Sequence, residues 1–183
     1  MEEATRLSCI LKDFLDFARP RSPDLAPVDV REIIDRVRTN MDQQIQTRHI
    51  RWSGVHENGL TPVILGDRDL LYQAFLNMAM NALEAMEDGG SLTIRTSLDD
   101  SRIRVDFQDS GHGIAQEHLQ KIFTPFFTTH EMGTGLGLSV VLNIVTAHNG
   151  EVSVQSKEGK GTRFSIFLPR SDQFGGNKED SDR

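Results

Sequence analysis

Hydrophobic residues spaced three and four positions apart mark the first predicted element, a helix over residues 1–19. Its apolar stripe consists of Leu7, Ile10, Leu11, Phe14, Leu15 and Ala18. This spacing places the stripe on one side of a helix. The helix ends before Pro20, because the residue preceding a proline avoids helical geometry. Three prolines within residues 20–27 predict a stiff linker. Because that linker holds the helix apart, we favour pairing with another helix in an oligomer over folding back onto the main domain.

From residue 28 onward, strand-like and helix-like patterns follow each other. The predicted strands cover 28–30, 50–53, 62–65, 92–97, 103–107, 151–156 and 162–168. The predicted helices cover 31–46, 68–87 with Asp67 as N-cap, 116–122 and 136–148. A turn over 54–59 separates the second and third strands, and the last four strands form two hairpins. Residues 123–135 lack any period, and a long loop in a compact domain is usually functional.

This order of helices and antiparallel hairpins predicts an α+β fold. The expected architecture is a two-layer α/β sandwich with helices on one face of a mixed, mostly antiparallel sheet, preceded by the N-terminal amphipathic helix. The main domain spans 28–169. Residues 170–183 form a polar tail, which we expect to be disordered.

Composition and charge exclude several functions. The net charge is −7 and no run of Lys or Arg occurs, which argues against binding to nucleic acid or to a membrane surface. No apolar stretch approaches the roughly 20 residues that span a bilayer. The single cysteine, Cys9, permits no internal disulfide and fits a reducing compartment. We expect a cytoplasmic location; whether the full-length protein is membrane-anchored stays open.

The sequence D-S-G-H-G begins at Asp109 and predicts a ligand contact at a strand end. A carboxylate in this position can accept a hydrogen bond from an exocyclic amine such as adenine N6. Gly111 and Gly113 would let the backbone approach a flat ring. The alternative is an ordinary Asp-Ser-Gly turn. The other glycine-rich segments favour the binding interpretation.

Two asparagines lie four residues apart on a mostly apolar helix, at Asn77 and Asn81. They share one helix face, although asparagine is a poor residue for a helix interior. An amide oxygen can bind Mg²⁺, an ion that prefers oxygen ligands and keeps substrate phosphates in its shell. The alternative is a pair of asparagines that hold a neighbouring loop.

The segment G-T-G-L-G-L contains Gly133, Gly135 and Gly137 at the start of a predicted helix. Backbone amides and a helix N-terminus together form an anion site. No Gly-Lys-Ser/Thr follows, so this is not a P-loop, and a loop rather than a strand precedes it, which disfavours a dinucleotide fingerprint. The preceding phenylalanines, Phe123 among them, fill the core or hinge a lid that is mobile without nucleotide.

Two histidines carry separate expectations. His130 lies in the predicted lid, where contact with phosphate and exposure to solvent are equally good interpretations. His148 ends a predicted helix, where a cation is favoured.

Taken together, these segments resemble the ATP-binding catalytic domain of bacterial sensor histidine kinases. That domain belongs to the superfamily that also includes gyrase, the ninety-kilodalton heat-shock chaperone and MutL. The resemblance covers residues 28–169 and is strongest to the nitrogen-regulator subgroup. The matching segments are L-N-M-A-M-N-A-L-E-A-M (N box), D-S-G-H-G-I (G1), I-F-T-P-F-F-T-T (F), G-T-G-L-G-L (G2) and G-K-G-T-R-F (G3). The R-L-S-C-I-L-K-D-F-L-D-F-A-R-P segment resembles the second helix of the family's dimerisation and phosphotransfer domain.

The resemblance implies the Bergerat ATP-binding fold and a role for each matching position. Asn81 would bind Mg²⁺, and Asn77 would support that ion or the phosphates, so both are candidate catalytic residues. Asp109 would read adenine, helped through water by Gly113 and Thr162. The remaining residues implied to contact the nucleotide are Gly111, Ile114, Phe123, Gly133, Thr134, Gly135, Leu136, Gly137 and Leu138. Two lysines that many family members carry are missing, one near Glu84 and one near His130.

The implied activity is that of an ATP- and Mg²⁺-dependent protein-histidine kinase. The γ-phosphoryl would pass to a histidine on phosphotransfer helices of the same protein, since no His-Glu-Leu/Ile-Arg-Asn-Pro motif occurs in the chain. A response regulator would receive it next, and the full-length protein would be a homodimer. The alternatives are a gyrase- or chaperone-type ATPase switch, disfavoured because Asn77 stands where those proteins carry a glutamate base, and an anti-sigma-like serine kinase.

Overall fold

Seven strands and three helices make up the part of the chain that the computed structural model describes, residues 22–87, 89–129 and 133–171. The helices are α1 Val30–Thr47, α2 Arg68–Glu84 and α3 Gly137–Ala147. The strands are β1 Ala26–Asp29, β2 Arg51–His56, β3 Val63–Gly66, β4 Ser91–Asp99, β5 Arg102–Asp109, β6 Glu151–Ser156 and β7 Thr162–Pro169. The predicted helix over 1–19, His130 and the tail beyond residue 171 lie outside the described residues.

Five of these strands form the main sheet, in the order β2-β4-β5-β7-β6. Only β2 runs parallel to its neighbour, and all other pairs in this sheet are antiparallel. Strands β1 and β3 form a separate antiparallel ribbon. A bridge between Ile64 and Arg170 joins this ribbon to the end of β7. The predicted α+β fold with a mixed, mostly antiparallel sheet is confirmed.

The helices cover one face of the sheet, which makes the second layer. Phe75 of α2 meets Phe107 of β5 edge to face, with 5.4 Å between the ring centroids. Both rings are buried, and each contributes about 1.5–3 kcal/mol by leaving water. The opposite face is polar and carries Arg95 and Arg104 between the buried positions of β4 and β5. This alternation gives the two-sided pattern of a sheet with one solvated face.

Strand β2 is longer than predicted and pairs with a strand that lies far along the chain. It continues through His56, and the turn follows it instead of beginning at Gly54. Strand β2 pairs with β4, where Arg51 lies opposite Ser91, and not with β3. Because that partner lies far along the chain, the local pattern of hydrophobic residues could not reveal it.

Three further boundaries correct the sequence prediction. Residues 116–122 form consecutive turns and not a helix, because Ile122 alone in this segment is buried and no apolar stripe holds a helix. Helix α2 ends at Glu84 and not near residue 87. Its last carbonyls are bonded by distant groups: Leu83 O accepts from the Arg48 guanidinium at 3.0 Å, and Ala85 O accepts from His112 N at 3.1 Å. Residues 26 and 27, placed in the linker, begin β1.

His148 holds two helix ends together. It is 3% exposed, and its Nδ1 lies 2.7 Å from the Ile144 carbonyl oxygen. Its Nε2 accepts a 2.9 Å hydrogen bond from the backbone N–H of Asp67, the N-cap of α2. A ring nitrogen that accepts from an amide must be unprotonated, so this histidine is neutral. The expectation of a cation at this helix end is therefore wrong.

Candidate nucleotide-binding site

Asp109 ends β5 with one carboxylate oxygen occupied. Its Oδ1 accepts hydrogen bonds from Gly111 N at 2.8 Å and from Thr162 N at 3.1 Å. No described residue donates a hydrogen bond to Oδ2, although the side chain is 6% exposed. Burial raises the pKa of Asp109, and the two amide hydrogen bonds oppose part of that rise. The carboxylate is thus fixed in place with one oxygen available to a hydrogen-bond donor.

The hydroxyl of Ser156 connects the D-S-G-H-G-I segment to the start of β7. Ser156 Oγ accepts from Ile114 N at 2.8 Å and donates to Gly161 O at 3.0 Å. It also lies 2.9 Å from Thr162 Oγ1. The family resemblance implies nucleotide contacts for Ile114 and Thr162 but assigns no role to Ser156. A small polar residue directly before a glycine-rich turn was the signal that could have identified it.

Gly111 and Gly113 are required by contacts within the protein. A Cβ on Gly111 would lie 2.4 Å from the Ala85 carbonyl oxygen, and one on Gly113 would lie 2.2 Å from the Lys157 carbonyl oxygen. Gly113 also has φ +73°, a conformation that favours glycine. We expected both glycines to admit a flat ring. The structure gives a different reason, because they let this loop pack against the end of α2 and the β6–β7 turn.

Asn77 and Asn81 lie on α2 as predicted, but their contacts differ. Asn77 Nδ2 donates to the Gly137 carbonyl oxygen at 3.3 Å, which joins α2 to the first residue of α3. Asn81 Nδ2 is buried and has no hydrogen-bond partner among the described residues. This contact supports the alternative that Asn77 holds a neighbouring loop, and a catalytic role of Asn77 stays a prediction. For Asn81 the amide remains free for a ligand.

The amide of Asn81 has the chemistry that a ligand of Mg²⁺ would need. No described residue donates a hydrogen bond to its amide oxygen, the atom that a hard cation would bind. Within the described ranges, no group of three or more His, Cys, Asp or Glu side chains could hold a metal ion alone. An ion held by one amide oxygen needs ligands from elsewhere. Phosphates and water suit Mg²⁺, which usually keeps several waters.

Helix α3 begins at Gly137, with Leu136 as N-cap and no side-chain hydrogen bond to the cap. Its first backbone N–H groups therefore lack a side-chain partner, which suits an anion. The preceding loop is held by Phe126 N donating to Gly135 O at 3.0 Å and by Leu136 N donating to Thr134 Oγ1 at 3.3 Å. The structure thus places Gly137, the first residue of α3, beside Asn77. Gly133 and Leu138 flank this segment.

The phenylalanines before this loop divide into two groups. Phe123 packs edge to face on Phe164 of β7 with 6.4 Å between centroids, and Phe127 packs beside His118 at 5.5 Å. Both are partly buried against the core. Phe126 is 60% exposed. The structure therefore gives Phe123 a packing role, and its contact with a nucleotide stays a prediction.

Cations are scarce at the predicted phosphate end of the site. Residues 123–138 contain no Lys or Arg, and neither do residues 76–90. Lys157, Lys160 and Arg163 line a depression of about 300 Å³ together with Asp109 and Thr162. Backbone amides and a bound cation must therefore supply most of the positive potential that phosphates would meet.

Comparisons with known proteins agree with this geometry. The family model described as "Histidine kinase-, DNA gyrase B-, and HSP90-like ATPase" matches residues 66–172. Sensor histidine kinase ZraS of Escherichia coli (strain K12) is 38% identical over 168 residues, which are 92% of this chain and 36% of ZraS. The chain thus spans about a third of the length of this relative.

No helix in the described part of the chain is long and apolar enough to cross a membrane.

Two solved structures share the fold. Full-length ShkA in complex with AMPPNP has a TM-score of 0.84 and 31% identity, and the match covers 93% of this chain and 37% of ShkA. Histidine kinase ThkA in complex with response regulator protein TrrA has a TM-score of 0.79 and 27% identity, covering 94% of this chain and 49% of that one. The family match spans more than half of the chain, so the chain belongs to the family of histidine kinase-, DNA gyrase B- and HSP90-like ATPases.

Proposed function

We propose that this chain is the catalytic domain of a sensor histidine kinase, which binds ATP with Mg²⁺ and transfers the γ-phosphoryl group to a histidine. The observation that carries the proposal is the state of Asp109. Two backbone amides occupy its Oδ1, and Oδ2 stays available in a buried position. A fixed, desolvated acceptor suits the exocyclic amine of adenine.

The phosphate chain would extend from Asp109 towards the N-terminus of α3. The uncapped amides beginning at Gly137 would receive phosphate oxygens, as helix N-termini commonly do. Asn81 would hold Mg²⁺ through its amide oxygen, and the bound ion would neutralise charge on the β- and γ-phosphates. The AMPPNP complex of the similar kinase ShkA supports a nucleotide in this fold.

The phosphoryl transfer would need little chemistry from this chain beyond positioning. A histidine imidazole nitrogen attacks the γ-phosphorus while the bond to the bridging oxygen breaks and ADP leaves. The imidazole is a nucleophile and needs no base to remove a proton from water. Asn77 suits this reaction, because its amide is neutral and its nitrogen already donates to Gly137 O. A gyrase- or chaperone-type switch requires a general base for water, which an amide cannot provide.

The acceptor histidine would belong to phosphotransfer helices, and an aspartate of a response regulator would receive the phosphoryl group next. The ThkA–TrrA complex supports a response regulator as partner. A homodimer of the full-length protein and a cytoplasmic location of this domain are part of the same proposal. The segment over 1–19 that resembles a phosphotransfer helix lies outside the described residues.

Calorimetry of the chain with ATP and with GTP, in the presence of Mg²⁺, tests the proposed site. Guanine presents a carbonyl oxygen where adenine presents an amine, and a carboxylate repels that oxygen. We therefore expect ATP to bind at least about tenfold more tightly than GTP. Equal affinities would contradict the assignment of Asp109, and no binding of either nucleotide would contradict the proposed function.

A further inference from the structure

We infer that Ser156 is a positioning residue that fixes the hydroxyl of Thr162 as a hydrogen-bond acceptor for the bound nucleotide. This inference rests on the proposed function, because it concerns how the same site reads a purine. Ser156 ends β6 and lies opposite Thr162, the first residue of β7. Its hydroxyl makes three polar contacts. Because a hydroxyl has a single proton, it can donate in only one of them and must accept in the others.

Counting protons settles the direction of each hydrogen bond. The Ile114 backbone N–H can only donate, and the Gly161 carbonyl oxygen can only accept. The one proton of Ser156 therefore goes to Gly161 O. The remaining contact, 2.9 Å between Ser156 Oγ and Thr162 Oγ1, then requires Thr162 to donate. With its proton committed to Ser156, the Thr162 hydroxyl offers a ligand lone pairs only.

Thr162 thereby organises two acceptors side by side. Its backbone N–H donates to Asp109 Oδ1 at 3.1 Å, which leaves Asp109 Oδ2 as one acceptor. Its hydroxyl oxygen is the other. Thr162 is 4% exposed, so neither group can turn freely into water. A ligand edge that meets this pair must supply donors.

Adenine meets only half of that requirement by itself. Its N6 amine can donate to Asp109, but its ring nitrogen N1 is an acceptor and cannot bond directly to an acceptor hydroxyl. A water molecule that donates to both Thr162 Oγ1 and N1 satisfies the pair. Ser156 never contacts the purine in this arrangement. It determines that adenine N1 is recognised by a water molecule that donates to Thr162.

Ser156 also joins elements that are far apart in sequence. Ile114, whose N–H it accepts, lies 42 residues earlier, in the loop after β5. A role limited to holding this loop would explain the three contacts without any effect on purine recognition. The experiment must therefore measure a quantity that loop stability does not change. The ratio of affinities for two nucleotides that differ only at N1 is such a quantity.

Calorimetry with ATP and with 1-deaza-ATP, in which N1 is replaced by C–H, provides this ratio. We expect wild-type protein to bind 1-deaza-ATP about tenfold more weakly, the effect of losing one hydrogen bond in a desolvated site. Ser156→Ala frees the Thr162 hydroxyl to rotate and should reduce the ratio to about twofold or less. Ser156→Thr keeps the hydroxyl and should keep the ratio. Ser153→Ala, at an exposed position on the same strand, is the matched control.

The possible outcomes separate the inference from the proposed function. If Ser156→Ala weakens both nucleotides by the same factor, Ser156 only holds the loop and the inference is wrong. A wild-type ratio near one also contradicts it, while ATP binding itself would still support the proposed function. If wild-type protein binds no ATP, the proposed function fails instead. Should Ser156→Ala not fold, Ser156→Cys replaces it, and its weakly donating thiol should give a ratio below that of wild type.

Discussion

Replacing Asp109 by asparagine should weaken ATP binding while leaving the fold intact. The asparagine Oδ1 can keep both hydrogen bonds that the carboxylate accepts, from Gly111 N and Thr162 N. The change falls on the second oxygen, which becomes an NH₂ group. That group would point a donor at the donor amine of adenine. The substitution therefore removes one charged hydrogen bond to adenine and places two donors against each other, while both backbone hydrogen bonds can persist.

The size of the loss follows from the chemistry of that bond. A hydrogen bond to a charged group contributes about 1.5–3 kcal/mol, which corresponds to roughly 10- to 150-fold in the dissociation constant. Burial raises the pKa of Asp109, so wild-type affinity for ATP should fall as pH drops through this raised pKa. Asp109→Asn should show no such step, because its side chain does not titrate.

Asp109→Asn should weaken ATP binding but should not lower the free energy of unfolding of the nucleotide-free protein. A carboxyl group whose pKa is raised on folding stabilises the protein most below its ordinary pKa, and this contribution is lost as pH rises to the raised value. Above the raised pKa, the charged Asp109 therefore lowers the free energy of unfolding. Asp109→Asn removes that cost, so its unfolding midpoint in urea should equal or exceed that of wild type.

Asp106 provides a matched control on the same strand. It is also 6% exposed, but it lies on the opposite face, where its Oδ1 accepts from Ser165 Oγ at 2.5 Å and from Arg104 Nε at 2.9 Å. Asp106→Asn should lower stability by about 1–3 kcal/mol and change ATP affinity less than twofold. If Asp109→Asn binds ATP as tightly as wild type, or if both variants lose affinity equally, the reasoning about Oδ2 is refuted.

Three other substitutions, two of them paired with a control substitution, test further features of the molecule. Asn81→Ala should weaken Mg²⁺-dependent ATP binding at least about tenfold in calorimetry and leave the helix stable, because alanine is the better helix former; an unchanged affinity would remove the metal assignment. His148→Ala should lower the free energy of unfolding by about 2–4 kcal/mol, since a buried backbone N–H loses its acceptor and a cavity forms. His56→Ala, at an exposed position, should change the free energy of unfolding by no more than about 0.5 kcal/mol. Equal urea midpoints for the two histidine variants would contradict this contrast. Gly161→Ala should destabilise the protein far more than Gly59→Ala. Both glycines have a positive φ, but a Cβ at Gly161 would lie 2.2 Å from a backbone oxygen while Gly59 faces open space. Similar melting temperatures for the two variants would show that the loop can adjust.

The sequence predicted the elements whose signals are local. Asp67 caps α2 as expected, and its side chain accepts from Asp69 N and Leu70 N. The two hairpins pair as predicted because their strands adjoin in sequence. The prediction failed where a distant partner decides the structure. Strand β2 takes β4 as its parallel neighbour, and α2 ends early because groups from other segments bond its last carbonyls.

The residue types of the candidate site could be predicted from the sequence, but the contacts between residues distant in sequence could not. Glycine-rich segments and paired asparagines predict a site at Asp109, Asn81 and the start of α3, and the nucleotide contacts of these residues stay a prediction. The role of Ser156 depends on the register of β6 and β7, which no local pattern gives. The same holds for Gly113, whose requirement comes from the Lys157 carbonyl oxygen in a distant turn.

Phosphoryl transfer to a separate phosphotransfer helix pair tests the central claim most directly. The chain would be mixed with Mg²⁺, γ-labelled ATP and a sensor-kinase helix pair that carries the acceptor histidine. We expect acid-labile, base-stable label on that histidine, and we expect much less label with Asp109→Asn. Acid-stable label on a serine, or rapid release of labelled phosphate by the chain alone with no transfer, would contradict it.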